Sequence, residues 1–232
     1  MKARTRCDCH DEESPKTGEA LLHGEIQDTT TDAWKRLLDL VEEAAAGKIE
    51  KFAPGRALGW EDWQSLVTLP ASIGKLKHVR ELDLYGSSLV RLPPEIGEMS
   101  SLEDFTPYTS YRLHWFPYEI IRCAHLTKSC VSTRALYGNY KLRHPFPNLR
   151  SFANTNALEL ARPRVCGVCQ GPFAEQGSQL RRISLRVATD IIPLLVYACS
   201  DACVAALPAP PENYVGRPHT GGRLLEQPSA AY

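Results

Sequence analysis

The 232-residue sequence holds no unbroken run of about 18 apolar residues, the length a membrane-spanning helix needs. Its opening stretch, MKARTRCDCHDEESPKTGEA, has basic positions but no apolar core behind them, so no secretory leader is expected. An excess of either charge is missing too. The 27 Lys and Arg balance 27 Asp and Glu, whereas a dedicated nucleic-acid binder is usually basic overall. Three catalytic signatures are also absent: G-x-x-x-x-G-K-[ST], H-E-x-x-H and G-x-S-x-G. These absences point to a cytoplasmic protein without a membrane segment, in which catalysis is not expected. In that reducing setting the eight cysteines stay thiols or bind metal rather than pair.

The charge that is present is unevenly spread. Residues 1–110 carry 13 Lys/Arg against 20 Asp/Glu, and residues 111–232 carry 14 against 7. Ordinary solvated surface accounts for this, as does an acidic face for one partner and a basic face for another. Residues 1–29 lack periodicity and read as a flexible tail, with Cys7, Cys9 and His10 incidental within it. A helix is predicted over 31–46. Thr31 or Asp32 can cap it, Trp34, Leu37, Leu38, Val41 and Ala45 form one apolar stripe, and Gly47 is placed to end it.

A repeat follows. Leu69-Pro70, Leu92-Pro93 and Phe116-Pro117 recur at steps of 23 and 24 residues, and Val79, Leu102 and Leu126 each fall nine residues after a proline. Ile73-Gly74 and Ile96-Gly97 hold equal places, and Ile120 takes the isoleucine's place in the third unit. The clearest unit, VRELDLYGSSLVRLPPEIGEM, puts Val79, Leu82, Leu84, Leu89 and Leu92 in apolar slots, with Ser87 where asparagine is usual. One such unit cannot bury its leucines alone, so units must stack and their ends need caps. Pro107 and a late Leu113 mark the third unit as irregular, and YGNYKLRHPFPN reads as a loop leaving the stack. By alternation, Glu81, Asp83, Tyr85, Asp104, Thr106, Tyr108 and Lys128 point away from the leucines onto the concave face, together with Cys130. Tyrosine mixed with charge is the chemistry of protein-contact surfaces, although a plain solvated face has the same composition.

The pattern over about residues 31–160 resembles intracellular leucine-rich-repeat proteins of bacterial and plant type. The resemblance implies an α/β solenoid, here with an N-terminal helical cap, that binds other macromolecules.

Toward the C-terminus VCGVCQGPF and YACSDACVAAL give the motif C-x2-C-x29-C-x3-C, with Cys166, Cys169, Cys199 and Cys203. Two strand-like runs, 180–189 and 191–198, lie between the pairs with a turn expected at Asp190. Two thiolates of a C-x2-C knuckle and two at a helix start suit tetrahedral Zn²⁺. Four thiolates would leave no coordination place for a reactive water, so such a site is structural. Four buried thiols or redox chemistry are the other readings. Against redox, Gly and Pro follow the C-x2-C, where a thioredoxin-like motif would open a helix. The arrangement resembles treble-clef zinc modules. Some eukaryotic substrate-recruiting adaptors join leucine-rich repeats to a similar module, but no ligase-binding box is recognisable here.

The expected organisation is a tail (1–29), a repeat domain with its cap (30–160), a zinc module (161–207) and an irregular Pro/Gly-rich tail (208–232). The expected function is a non-catalytic scaffold for a protein partner. The alternatives are a cysteine effector enzyme, with Cys130 or Cys123 near His125 or His144, and a nucleic-acid binder using Lys141, Arg143, Arg181, Arg182 and Arg186.

Overall fold

The computed structural model describes residues 23–131, 156–173, 177–212 and 214–220. Cys7, Cys9, His10, Lys141, Arg143 and His144 lie outside them.

Helix α1 (Asp32–Ala46) begins where the Thr31 hydroxyl accepts from the Trp34 amide at 3.3 Å. That bond satisfies one of the amides a helix start leaves free. Ala33, Trp34, Leu37, Val41 and Ala44 are buried, and Leu38 and Ala45 pack at the margin. Gly47 follows the last turn in right-handed geometry, and Lys48 makes the left-handed exit at φ 51°.

Strand β1 (Lys51–Phe52) leads into two short helices, α2 (Pro54–Leu58) and α3 (Trp60–Ser65). The repeated pattern then becomes a parallel sheet of very short strands. In chain order these are β2 (Glu81–Asp83), β3 (Asp104–Thr106) and β5 (Lys128–Ser129), with the sheet order β1-β2-β3-β5, while β4 (Phe116–Pro117), between β3 and β5 in sequence, belongs to a second sheet. Glu81 lies opposite Asp104 and Asp104 opposite Lys128, so the register carries the sequence steps into space. Each Leu-Pro or Phe-Pro step leads into a 3-10 helix, at Ala71–Lys75, Pro94–Glu98 and Tyr118–Arg122. Proline suits these starts, where its fixed φ is already right and its missing N–H is not needed.

Val79, Leu82, Leu84, Leu89 and Leu92 are all at most 1% exposed. Burying each such side chain stabilises by roughly 1.5–3 kcal/mol. Ser87, in the asparagine slot, donates to the Ser110 hydroxyl at 2.7 Å, and Ser110 donates to the Leu84 carbonyl at 2.9 Å. The pair ties neighbouring units together under the turns. In the third unit Phe105 enters the core edge-on to Phe116, with centroids 5.8 Å apart. Leu113 is buried despite its late position.

The C-terminal hairpin comprises β6 (Gln179–Val187) and β7 (Asp190–Ala198). Its turn is Ala188-Thr189 rather than Asp190, which instead pairs with Val187. Ala188 supplies the left-handed residue at φ 53° that a tight hairpin requires. β7 also pairs in parallel with β4, Phe116 opposite Leu194. Ile192, Leu194 and Val196 therefore join the same core as the leucines, while Leu195 and Tyr197 pack with Leu158 on helix α4 (Asn156–Glu159). A core-facing hairpin of this kind shares its apolar surface with the stacked strands. The turn finishes the sheet edge: the Ser129 amide donates to the Thr189 hydroxyl at 3.2 Å, and that hydroxyl donates to the Ser129 carbonyl at 2.9 Å.

Two segments read as tails are anchored where they are described. Gln27 accepts from the Val67 amide at 2.8 Å, the Glu25 carboxylate pairs with buried Arg112, and the His23 ring stacks on buried His114. At the other end His219 bridges backbone to backbone with Arg182 on β6. Helix α5 (Asp201–Ala205) closes the hairpin region.

Candidate metal centre

Cys166 and Cys169 sit on a tight turn at the mouth of the hairpin. The Cys166 amide donates to the Gly171 carbonyl at 2.9 Å, and the Gln170 amide donates to the Cys166 carbonyl at 3.0 Å. Gln170 takes a left-handed conformation, φ 60°, to close the turn. Cys199 follows the last residue of β7, and Cys203 lies in the first turn of α5. The Ser200 hydroxyl caps that helix by accepting from the Cys203 amide at 3.3 Å.

The four sulfurs lie within 4.8 Å of one another. Cys169 Sγ to Cys199 Sγ and Cys199 Sγ to Cys203 Sγ are both 3.5 Å. A disulfide would need about 2.05 Å, so these are free thiols. An ion about 2.3 Å from each of four sulfurs would set them about 3.8 Å apart. The cluster is therefore of the right size for one metal ion.

Backbone donors support the same use. The Cys199 amide donates to Cys166 Sγ at 3.3 Å, and the Gly171 amide to Cys169 Sγ at 3.4 Å. Burial opposes ionisation of Cys166, but the amides of Cys169, Val168 and Cys199 outweigh it and bring that thiol down to about 6. Cys199 behaves oppositely. Hydrogen bonding with the Cys203 and Cys169 thiols, followed by desolvation, pushes it up to about 12. Sulfurs this close cannot all carry charge unless a cation offsets their repulsion.

The knuckle is held from the sheet side. The Gly167 amide donates to the Tyr197 carbonyl at 2.9 Å, and Arg122 donates to the Gly167 carbonyl at 2.8 Å. Glu119 lies beneath at 3% exposure, with its Oε1 making no hydrogen bond. Burial raises this carboxyl to about 7. Sequence reasoning missed Glu119 and Arg122. The available signal was position: Glu119 matches Ser72 and Glu95 of the preceding units, which stay half-exposed.

The other predicted residues group as follows. Glu81, Asp104 and Lys128 form one row, Asp83 and Thr106 the next. Tyr85 and Tyr108 stack beyond them with centroids 6.0 Å apart. Lys51 takes part in the first row by pairing with Glu81 at 2.6 Å. Cys123 is buried and donates to the Ile96 carbonyl at 3.3 Å, whereas Cys130 is exposed. Arg182 is buried with its guanidinium 5.1 Å from the Trp115 ring centre. Among the described residues no helix is long and apolar enough to cross a membrane. No protein-family model and no curated protein matches this chain, so its own residues carry the functional reading.

Proposed function

We propose that this chain is a non-catalytic adaptor, a short leucine-rich-repeat solenoid that binds a protein partner through its exposed strand face. The N-terminal helix caps the stack, and residues 161–207 form a structural zinc module at its far end. The observation that carries the reading is the row of parallel strands, which holds Glu81, Asp83, Tyr85, Asp104, Thr106, Tyr108 and Lys128 in fixed register. Rigid aromatic and charged side chains on a preformed surface lower the ordering cost of association.

Zn²⁺ suits the four thiolates best, since soft sulfur donors in a closed tetrahedral set favour it and it brings no redox chemistry. Cytoplasmic residence fits the reduced thiols. A nucleophilic role for Cys130 is disfavoured. Burial, then the nearby Asp190 and Asp104, push its thiol up, the reverse of activation. A nucleic-acid role loses Arg182 to its buried site on Trp115.

The test is affinity capture on the full chain followed by mass spectrometry, with metal content determined on the same sample. Tyr85→Ala combined with Asp83→Asn is expected to reduce capture of a specific protein about tenfold or more. Unchanged capture would remove the strand face as the binding surface.

A further inference from the structure

Beside the strand face lies a pocket of about 380 Å³, lined among others by Trp60, Trp63, Tyr85, Asp83 and Arg56. Trp63 is buried and donates from its indole nitrogen to the Tyr85 carbonyl at 3.1 Å. Trp60 and Tyr85 are different: they are 55% and 57% exposed. Trp60 lies over Gly86, where a β-carbon would meet its ring at 3.4 Å. Tyr85 in turn stacks on Tyr108. Packing does not require these rings, and water is a poor surrounding for them.

A carboxylate stands against this aromatic wall. Asp83 Oδ1 is fixed by the Tyr85 amide at 3.0 Å. Its other oxygen faces the guanidinium of Arg56 at 3.7 Å. That separation is longer than the roughly 2.8 Å of a closed charge-assisted hydrogen bond. Arg56 is also 78% exposed, and no cation–ring contact forms between it and the pocket's aromatics among the described residues. The chain's own guanidinium thus approaches the carboxylate without filling the pocket.

We propose that this pocket receives a cationic side chain, an arginine or lysine from a basic segment of the partner protein. The inference rests on the adaptor reading and names the chemistry its partner brings. The incoming cation lies over the Trp60 and Tyr85 rings and pairs with Asp83, gaining both the ring quadrupole and the carboxylate. Arg56 swings toward solvent as it enters.

The probes are N-acetyl-argininamide and N-acetyl-lysinamide, with N-acetyl-norleucinamide as the neutral control and N-acetyl-glutamamide's acidic parent, N-acetyl-glutamate, as the anionic one. Binding to the full chain is read by amide and indole NMR shifts. The cationic amides are expected to bind about tenfold more tightly than norleucinamide, with shifts centred on the Trp60 indole and the Asp83 and Tyr85 amides. Trp60→Ala and Asp83→Asn are each expected to weaken binding about fivefold, and Arg56→Ala to leave it equal or stronger. Trp60 and Arg56 are exposed and Asp83→Asn keeps the side chain's size, so loss of fold is not expected in the variants, and circular dichroism checks it.

Equal binding of norleucinamide would make the pocket an apolar contact and overturn the proposal. Tighter binding of N-acetyl-glutamate would assign recognition to Arg56 and overturn it as well. If partner capture survives Trp60→Ala but fails with Tyr108→Ala, the adaptor reading stands and the cation pocket falls. If the cationic amides bind as expected but no partner depends on the strand face, the pocket stands and the adaptor reading falls.

Discussion

Gly97 lies against the backbone of Glu119 with no room for a β-carbon between them. The two residues belong to successive 3-10 helices, Pro94–Glu98 and Tyr118–Arg122, so this contact sets how tightly the units nest. The matching glycine one unit earlier, Gly74, has more space: an added β-carbon would lie 3.2 Å from the Glu95 carbonyl. Gly97→Ala is therefore expected to destabilise by about 3 kcal/mol and Gly74→Ala by about 1 kcal/mol. Urea denaturation monitored by tryptophan fluorescence measures both. Equal losses would mean that the close approach does not set the spacing.

Metal binding gives a second expectation. Purified chain should carry about one Zn²⁺, and Cys199→Ser should lose it, since Cys199 touches two of the other three sulfurs. The loss of structure should be local. Ile192, Leu194 and Val196 remain packed in the main core without the ion. Hydrogen exchange should accelerate over 164–173 and 199–207 while the Leu82 and Leu84 amides stay protected. Uniform acceleration across the chain would show that the ion holds the whole fold together.

A third expectation concerns acid. Burial, then Arg182 and Arg217, lower His219 from 6.5 to about 4 in the folded state. A depressed folded pKa means that the unfolded chain takes up the proton first as pH falls. The contribution of His219 is thus complete above about 6.5 and is lost as pH falls toward 4. Protection of the Arg182 and His219 amides should fall across that window. His219→Gln should flatten the dependence; an unchanged slope would assign it to another group.

The N-terminal strap can be tested at Arg112, which is 6% exposed and paired with the Glu25 carboxylate. Arg112→Ala removes the guanidinium from that carboxylate and from the Ser88 carbonyl, 3.5 Å away, leaving His23 beside Glu25. A loss of about 2–4 kcal/mol is expected, with faster proteolysis ahead of residue 30. Cleavage at the wild-type rate would mean that the strap is held by other contacts.

The sequence made the inward residues legible because a leucine period of 23 is local information. Val79 through Leu92 announce their burial, and their alternation with Glu81, Asp83 and Tyr85 follows from strand geometry. The cysteine spacing likewise brought together four sulfurs separated by a long hairpin. Pairing of β7 with β4 was not readable, because Phe116-Pro117 carries the same dipeptide signal as the other units. The sequence offered no sign that Arg91, Arg112 and Arg182 are buried, and Arg182 was instead a candidate nucleic-acid contact. Their burial depends on distant segments, Glu25 and Trp115 among them, that no local pattern indicates. The hairpin turn was displaced by two residues because Ala188, not a glycine or asparagine, adopts the left-handed conformation.

Thr189 grips the outer margin of β5 through Ser129. An additional coil inserted there would have to dislodge the hairpin, and the hairpin bears Cys199 at its base. The reach of the face and the integrity of the sulfur cage are consequently inseparable. A variant lengthened at this margin is expected to lose the close approach of the four sulfurs. On the adaptor reading, a change in what this face binds would then come from exchanging side chains rather than from adding strands.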